Sequence, residues 1–503
     1  MRNFRRAALA AASCGAALAL GLAARADPSE TLGDAIVLAY ETNPTLQAQR
    51  ATQRATDEEY VQAEAGLRPT VGATATVTYD NNQLNELAEL GLPGASGPQI
   101  SESSQGALQV TQPLYTGGRV TGAIDAARAD ILAGRETLRR TEISVLQSVI
   151  GAYLDVRRDQ EQLAISEDNV AVLKRQAEET QARFDVGEVT RTDTAQADAR
   201  LAQAQSQAAT AQSTLAIARA GYAQVVGQNP GDLAPEPPIA QLLPTSIDQA
   251  FDLAEQGNPQ LLGANYTEQG SAARLAEAKA ATRPSADLTA TLGYNGGSST
   301  FAPTGANNPF ADYTRDVTIT ASAKIPIFTG GMTSSQIREA AEQDNVSRIG
   351  IETARREVLQ AVAQAWNQLL GARASLAADE QTVKADTVAY EGTRQEQQVG
   401  LRTTLDVLNA QQELETSELS LVGARHDEYV AAAAVLAAIG ALEAKDLIPN
   451  EPRYDPKTNF DKVRHGIGWV PWDPVVQALD RLGAPQPTPL PPPSPPGEVV
   501  RTQ

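Results

Sequence analysis

The sequence predicts an α+β membrane protein made of two tandem repeats, each a β-hairpin of membrane-strand character that runs into helices far longer than a globular core needs. Three observations lead there. The segment "QPLYTGGRVTGAIDAAR" (residues 112–128) returns as "IPIFTGGMTSSQIREAA" (residues 325–341), 213 residues later. Segments of about ten residues alternate small or polar with apolar side chains, the pattern of a tilted membrane strand. From residue 119 to 186, and again from 332 to 399, the chain has no proline and little glycine.

The chain begins "MRNFRRAALAAASCGAALALGLAARADPSE", with three early arginines, an Ala/Leu run and a small-x-small site at Ala24-Arg25-Ala26. This reads as a secretory signal peptide over residues 1–26, not as a membrane span. Cys14 lies within it, with little apolar sequence before it and Ala11 at a poor position for lipidation. Cleavage after Ala26 would leave a chain without cysteine, so disulfides, thiolate nucleophiles and Cys-ligated metals are not expected. The chain has 41 basic and 61 acidic residues. Removing the four arginines of the signal leaves 37 against 61, a net charge of −24. Such a surface repels phosphate backbones, so no nucleic-acid partner is expected.

The first repeat is placed at 27–232 and the second at 246–447, joined by a linker at 233–245. "TLGDAIVLAYETNP" matches "SIDQAFDLAEQGNP" at an offset of 215, and "GLRPTVGATATVTY" matches "ATRPSADLTATLGY" at the same offset. Past a Gly/Pro/Asn/Ser-rich loop the offset is 213, which pairs Thr116-Gly117-Gly118 with Thr329-Gly330-Gly331, Gly187 with Gly400, and Gly227 with Gly440. Length changes are tolerated in such loops. Each repeat opens on a helical segment, residues 31–67 or 247–282. An alternating strand follows, then the loop (81–104 or 295–314), then a second strand. Tyr79, Tyr115, Tyr294, Tyr313 and Phe328 edge these strands as aromatic girdles do.

The Thr-Gly-Gly junctions turn strand into helix. Pro113 and Pro326 are expected to stop strand pairing, and Gly117, Gly118, Gly330 and Gly331 to turn the backbone sharply. At 1.5 Å per residue each long helix would span roughly 100 Å. Gly187 and Gly400 can end them in left-handed caps. Thr190 and Thr403 can then cap the return helices, with Asp193 and Asp406 near their positive ends. Val407, Leu414 and Leu421 repeat every seven residues, a coiled-coil seam. Four strands per chain cannot close a barrel, because the smallest outer-membrane barrels have eight. The chain must oligomerise to remove its sheet edges; two copies give eight strands and three give twelve.

From the tandem repeat, both Thr-Gly-Gly junctions and above all "VGLRTTLDVLNAQQELETSELSLVGARHDEYVAAAAVLAAIGAL", the chain to about Leu447 resembles the TolC family of outer-membrane channel-tunnels. The resemblance implies a homotrimer whose four strands per chain make one twelve-stranded outer-membrane barrel above a coiled-coil helical barrel crossing the periplasm. It implies no enzyme activity and no cofactor. It implies an exit duct docked to an inner-membrane ABC or proton-driven transporter through a periplasmic adaptor. Type I protein secretion is preferred, with multidrug efflux as the alternative and a periplasmic coiled-coil scaffold as a remote one. Asp406 would form a ring at the periplasmic aperture, and Arg402 would link to Thr192 and Asp193 on a neighbouring helix. Converging carboxylates repel, so a closed aperture needs such links. The chain departs from the family pattern at Asn409, where a second aspartate is expected, and at Gln397, where a tyrosine link is expected. The adaptor would dock on the hairpin tips at Gly187, Glu188, Val189, Gly400 and Leu401.

Residues 448–503 are expected to be a Pro-rich, largely disordered tail, polyproline at its end, with Trp469 and Trp472 anchoring its earlier part against the outside of the helical barrel. His426 and His465 lie near no nucleophile motif, and no Gly-rich phosphate loop joins strand to helix. No catalytic and no metal-binding residues are expected.

Overall fold

A computed structural model describes residues 29–82, 99–299, 313–447, 454–464, 470–482 and 484. The expected signal peptide, Cys14, most of both hairpin loops, Trp469 and the final polyproline lie outside the described residues.

Each half carries the same elements, with the helices at nearly the same lengths. In the first half these are α1 (Leu32–Thr42), α2 (Pro44–Ala65), β1 (Thr70–Asn82), β2 (Gln99–Tyr115), α3 (Arg119–Asp185) and α4 (Arg191–Val226). In the second they are α5 (Ile247–Gly257), α6 (Pro259–Ala280), β3 (Ser285–Ser299), β4 (Thr314–Lys324), α7 (Met332–Gln398) and α8 (Thr404–Ala438). Both long helices have 67 residues. The glycines with positive φ pair off across the halves: Gly117 with Gly330, Gly118 with Gly331, Gly187 with Gly400 and Gly227 with Gly440.

The opening helical segment of each half is two helices, not one. Asn43 and Asn258 leave the helix with ψ near 122°, and each caps a new helix whose first residue is proline. Asn43 Oδ1 accepts from the Thr45 and Leu46 amides. Proline lacks the amide that would continue the preceding helix and suits the first position of the next. The short helices α1 and α5 then fold against α3, α4, α7 and α8. The principal core forms there, around Leu32, Ile36, Leu146, Ile150, Tyr153, Tyr222, Phe251 and Leu436.

The four strands form one antiparallel sheet in the order β1-β2-β3-β4. Its register gives the sheet two unlike faces. One carries Val71, Ala73, Ala75, Val77, Leu108, Val110, Leu288, Ala290, Leu292, Val317, Ile319 and Ala321; the other carries Thr74, Thr76, Thr78, Asp80, Gln109, Asp287, Thr289, Thr291, Asp316, Thr318 and Thr320. The strands of membrane barrels alternate in this way, with apolar side chains toward lipid and polar ones toward the lumen. The strands reach beyond the segments expected from alternation: β2 starts at Gln99.

Pro113 does not stop pairing. It stays in register with Asp287, and the ladder shifts by a bulge before Tyr115 pairs with Ala286. A bulge accommodates the missing amide, which an unbroken central ladder could not. In the second half β4 ends at Lys324, before Pro326.

The tail is also corrected in part. Residues 456–464 and 473–482 are helices, α10 (Pro456–Arg464) and α11 (Asp473–Leu482), following the short α9 (Ala444–Leu447). They climb the groove beside α2 and α3. Phe460 meets Tyr60 edge-on at 5.2 Å, and Val476 is buried with Leu67, Val120 and Ile124. The apolar pair Phe460 and Val476, spaced among polar residues, supplies the burial that a polyproline segment lacks.

Candidate functional site: hairpin tips and strand–helix junctions

At each tip the long helix ends in a Schellman turn. The Gly187 amide donates to Phe184 O and the Glu188 amide to Arg183 O, both at 2.9 Å; Gly400 and Leu401 repeat this at Gln397 and Glu396, at 3.0 and 2.9 Å. Both glycines have φ +80°. The return helices begin with matching capping boxes, Thr190 with Asp193 and Thr403 with Asp406. Hydrogen bonds from the Thr190 hydroxyl and amide hold the Asp193 carboxyl below its ordinary value, and those from Thr403 do the same for Asp406. The turns present apolar side chains to solvent: Val186, Val399 and Leu401 are each more than 70% exposed. Glu188 is exposed and Val189 half-buried.

Within the chain Arg402 does not reach Thr192 or Asp193. Its Nε donates to Glu396 at 2.9 Å, across the same turn. Sequence reasoning missed the arginine that ties the two hairpins together near the tips: Arg200. It bonds Asn409 Oδ1 at 3.2 Å and also Gln412. Just beneath, Leu408 is buried against Leu173 and Ala204, joining α8 to α3 and α4. The available signal was Arg200 as the sole basic residue between Arg191 and Arg219 in an Ala/Gln-rich helix. Replacing it by alanine is expected to loosen this end by about 1 kcal/mol, read as faster hydrogen exchange in residues 404–412 with the principal core around Leu146 and Tyr153 unaffected.

At the first strand–helix junction Gly117 and Gly118 have φ +72° and +85°. A side chain on Gly117 would meet Arg283 Cβ at 2.8 Å and Pro284 O at 3.0 Å. The start of the long helix is capped from the tail. Asp480, fully buried, accepts from the Thr116 amide (2.7 Å) and hydroxyl (2.8 Å), the Gly118 amide (3.2 Å), and the Thr121 amide (3.2 Å) and hydroxyl (2.7 Å). Burial pushes this carboxyl up, but the donors at Thr121, Thr116 and Gly118 outweigh it and hold it below its ordinary value. A helix N-terminus favours such an anion. Asp473, also buried, lies 3.3 Å from Arg68, which pairs with Glu64 at 2.8 Å.

The second junction has the same backbone but a different setting. Among the described residues nothing lies within 4 Å of a side chain built on Gly330 or Gly331, and Ile327 and Phe328 are 95% and 87% exposed. Thr329 caps the helix, accepting from the Thr333 amide at 3.4 Å.

A four-stranded sheet with one apolar and one polar face, continued by two helical hairpins with 67-residue long arms, fits a membrane channel with a helical extension. The comparisons make this specific. The model of the outer membrane efflux protein family matches residues 35–228 and 250–441, and the chain belongs to that family. It is 34% identical to the outer membrane efflux protein BepC of Brucella suis, over 88% of this chain and 92% of BepC. It is 25% identical to the alkaline protease secretion protein AprF of Pseudomonas aeruginosa, over 82% and 85% of the two chains. The fold of the Campylobacter jejuni CmeC outer membrane channel superposes with a TM-score of 0.72 at 15% identity, covering 86% of this chain and 88% of that one. The family is one of outer-membrane channels rather than enzymes, and the protein's place is the outer membrane, its helices extending into the periplasm.

Proposed function

We propose that three copies close head to tail into a twelve-stranded barrel over a helical tunnel, and that this trimer is the exit duct of an inner-membrane transporter reached through a periplasmic adaptor. The observation that carries the reading is the unequal pair of junctions. Gly117 is covered by Ala280, Arg283 and Pro284 of the second half. The repeat offset of 215 assigns the equivalent cover over Gly330 to Ala65, Arg68 and Pro69, and those belong to the next copy. The free edges β1 and β4 then pair with each other between copies, which leaves no open edge in the membrane. Cross-linking a chain with cysteines at both Thr74 and Lys324, which the repeat offsets place opposite each other as Thr289 stands opposite Thr111, tests this: a ladder ending at trimer is expected, and a dimeric end point refutes it.

The tips are the adaptor contacts. Among the described residues no atom lies within 4 Å of a side chain on Gly187 or Gly400, so a bulky residue there meets only the backbone penalty of positive φ, about 1–2 kcal/mol. Gly400→Val is expected to keep the trimer and abolish export; loss of the trimer refutes the assignment. Asp406 of three copies would ring the aperture, with Asn409 held by Arg200 instead of adding a second carboxylate. Lumen-side Asp80, Asp287 and Asp316 make the pore prefer cations, and reversal potentials across a salt gradient in planar bilayers are expected to show it.

For the cargo, small-molecule efflux takes precedence over the secretion preferred from sequence alone, because the relative named an efflux protein shares 34% identity and the one named for protease secretion 25%. Type I secretion stays as the second reading on the strength of the latter. Deleting the gene decides: a collapse of drug tolerance with unchanged secreted proteins supports efflux, and the converse supports secretion.

A further inference from the structure

We infer that α11, the helix at Asp473–Leu482, is an interfacial anchor whose outer face lies in the periplasmic leaflet of the outer membrane. The helix is built the opposite way round from an ordinary surface helix. Its acidic residues point inward, Asp480 into the first junction and Asp473 toward Arg68. Val476 joins them in the seat, and half-buried Gln477 donates to Glu64. At helical spacing, the opposite side carries Trp472, Val475, Leu479 and Leu482, all exposed, Val475 to 62% and Leu482 to 86%. Ala478 completes an apolar arc, and the basic Arg481 stands at its flank. A helix with its charges spent on the protein and an apolar stripe outward has an apolar partner.

The position of the helix names that partner. Trp472 Nε1 donates to Gln112 Oε1 at 3.0 Å. Gln112 lies on the same strand face as Leu108 and Val110, and pairs with Leu288. That is the apolar face of the sheet, so the stripe continues the band that faces lipid. Glu102 pairs with Tyr79 toward the loop end of the same face. From there to Gln112 the strand advances roughly 33 Å, or about 25 Å along the membrane normal at the usual tilt, which is the height of an outer-membrane apolar band. Trp472 therefore sits at the periplasmic border of that band, where tryptophan with an apolar body and a bonded N–H is favoured. The tail thus pins the barrel's lower rim to the leaflet on one of the two junctions in each chain.

The test uses the full chain reconstituted in dioleoylphosphatidylcholine vesicles, with Trp366 and Trp469 changed to phenylalanine so that Trp472 reports alone. Emission is expected to be blue-shifted, quenched by phosphatidylcholine brominated near the headgroup end of its acyl chains, and protected from aqueous iodide. The double variant Leu479→Glu/Leu482→Glu is expected to lose that lipid quenching while the oligomer persists. Quenching of Trp472 by iodide and not by bromolipid overturns the anchor. So does protection from both accompanied by disulfide formation between copies carrying Leu482→Cys, which would make the stripe a protein interface. A tryptophan at Ile319, on the apolar strand face in a chain free of other tryptophans, serves as reference. If it is quenched by bromolipid and Trp472 is not, the anchor alone is wrong; if neither is quenched, the lipid-facing face is misassigned and the anchor falls with it.

Discussion

Replacing Asp480 by alanine is expected to detach the C-terminal helix while leaving the two repeats folded. One carboxylate satisfies three amides and two hydroxyls at the start of a 67-residue helix. Its loss leaves those buried donors without a partner, for about 2–4 kcal/mol against docking. Val476, the Asp473–Arg68 pair and single hydrogen bonds from Trp472 and Gln477 remain, too little to hold ten residues against their chain entropy. Limited trypsin digestion would read the release as rapid cleavage at Arg464 and Arg481, with the 119–226 and 332–438 hairpins resistant. Unchanged cleavage would mean that the tail is held elsewhere. Acid has the same effect on the parent protein. The folded carboxyl is held below its ordinary value, so its contribution is complete above the unfolded value of about 3.9 and is lost as pH falls through the lower folded value. Asp480→Asn is expected to abolish that acid step, because the group no longer titrates.

The second large effect belongs to Gly330. Among the described residues of one chain nothing stands near it, whereas at Gly117 the space is taken by Arg283 and Pro284. Gly117→Val is therefore expected to damage the chain itself, by a clash of the Cβ at 2.8 Å from Arg283 Cβ and by left-handed strain. Gly330→Val should spare the single chain's core and prevent assembly, because the clash arises only when the next copy arrives. Strain alone accounts for about 1–2 kcal/mol per chain. Gly330→Asn separates the two contributions, since asparagine tolerates positive φ but still carries a Cβ. Light scattering in detergent is expected to find monomer for both Gly330 variants. A trimeric Gly330→Asn protein would refute the equivalence of the two junctions.

Much of the site was legible in residues whose meaning is local. Gly187 and Gly400 read as left-handed caps because few other residues take φ +80°, and Thr190 and Thr403 read as caps because a hydroxyl three residues before an aspartate closes a box with it. Pro113 misled for a tertiary reason: whether a proline ends a strand depends on what its neighbour can bulge around, and β3 supplied that. The helix breaks at Asn43 and Asn258 were available in the Asn-Pro dipeptides, where asparagine can cap and proline can open a new helix.

By itself the sequence determined the duplication, the two-faced strands, the long helices and their turns, because periodicity and backbone chirality act over a few residues. Only the tertiary structure decided what Asp473, Asp480 and Arg200 do. Their partners lie hundreds of residues away, and a buried charge is made tolerable by donors that no local pattern announces. The same holds for the two junctions, alike in sequence and backbone. One is covered by its own chain and the other is open, because a chain with two repeats can cover only the first.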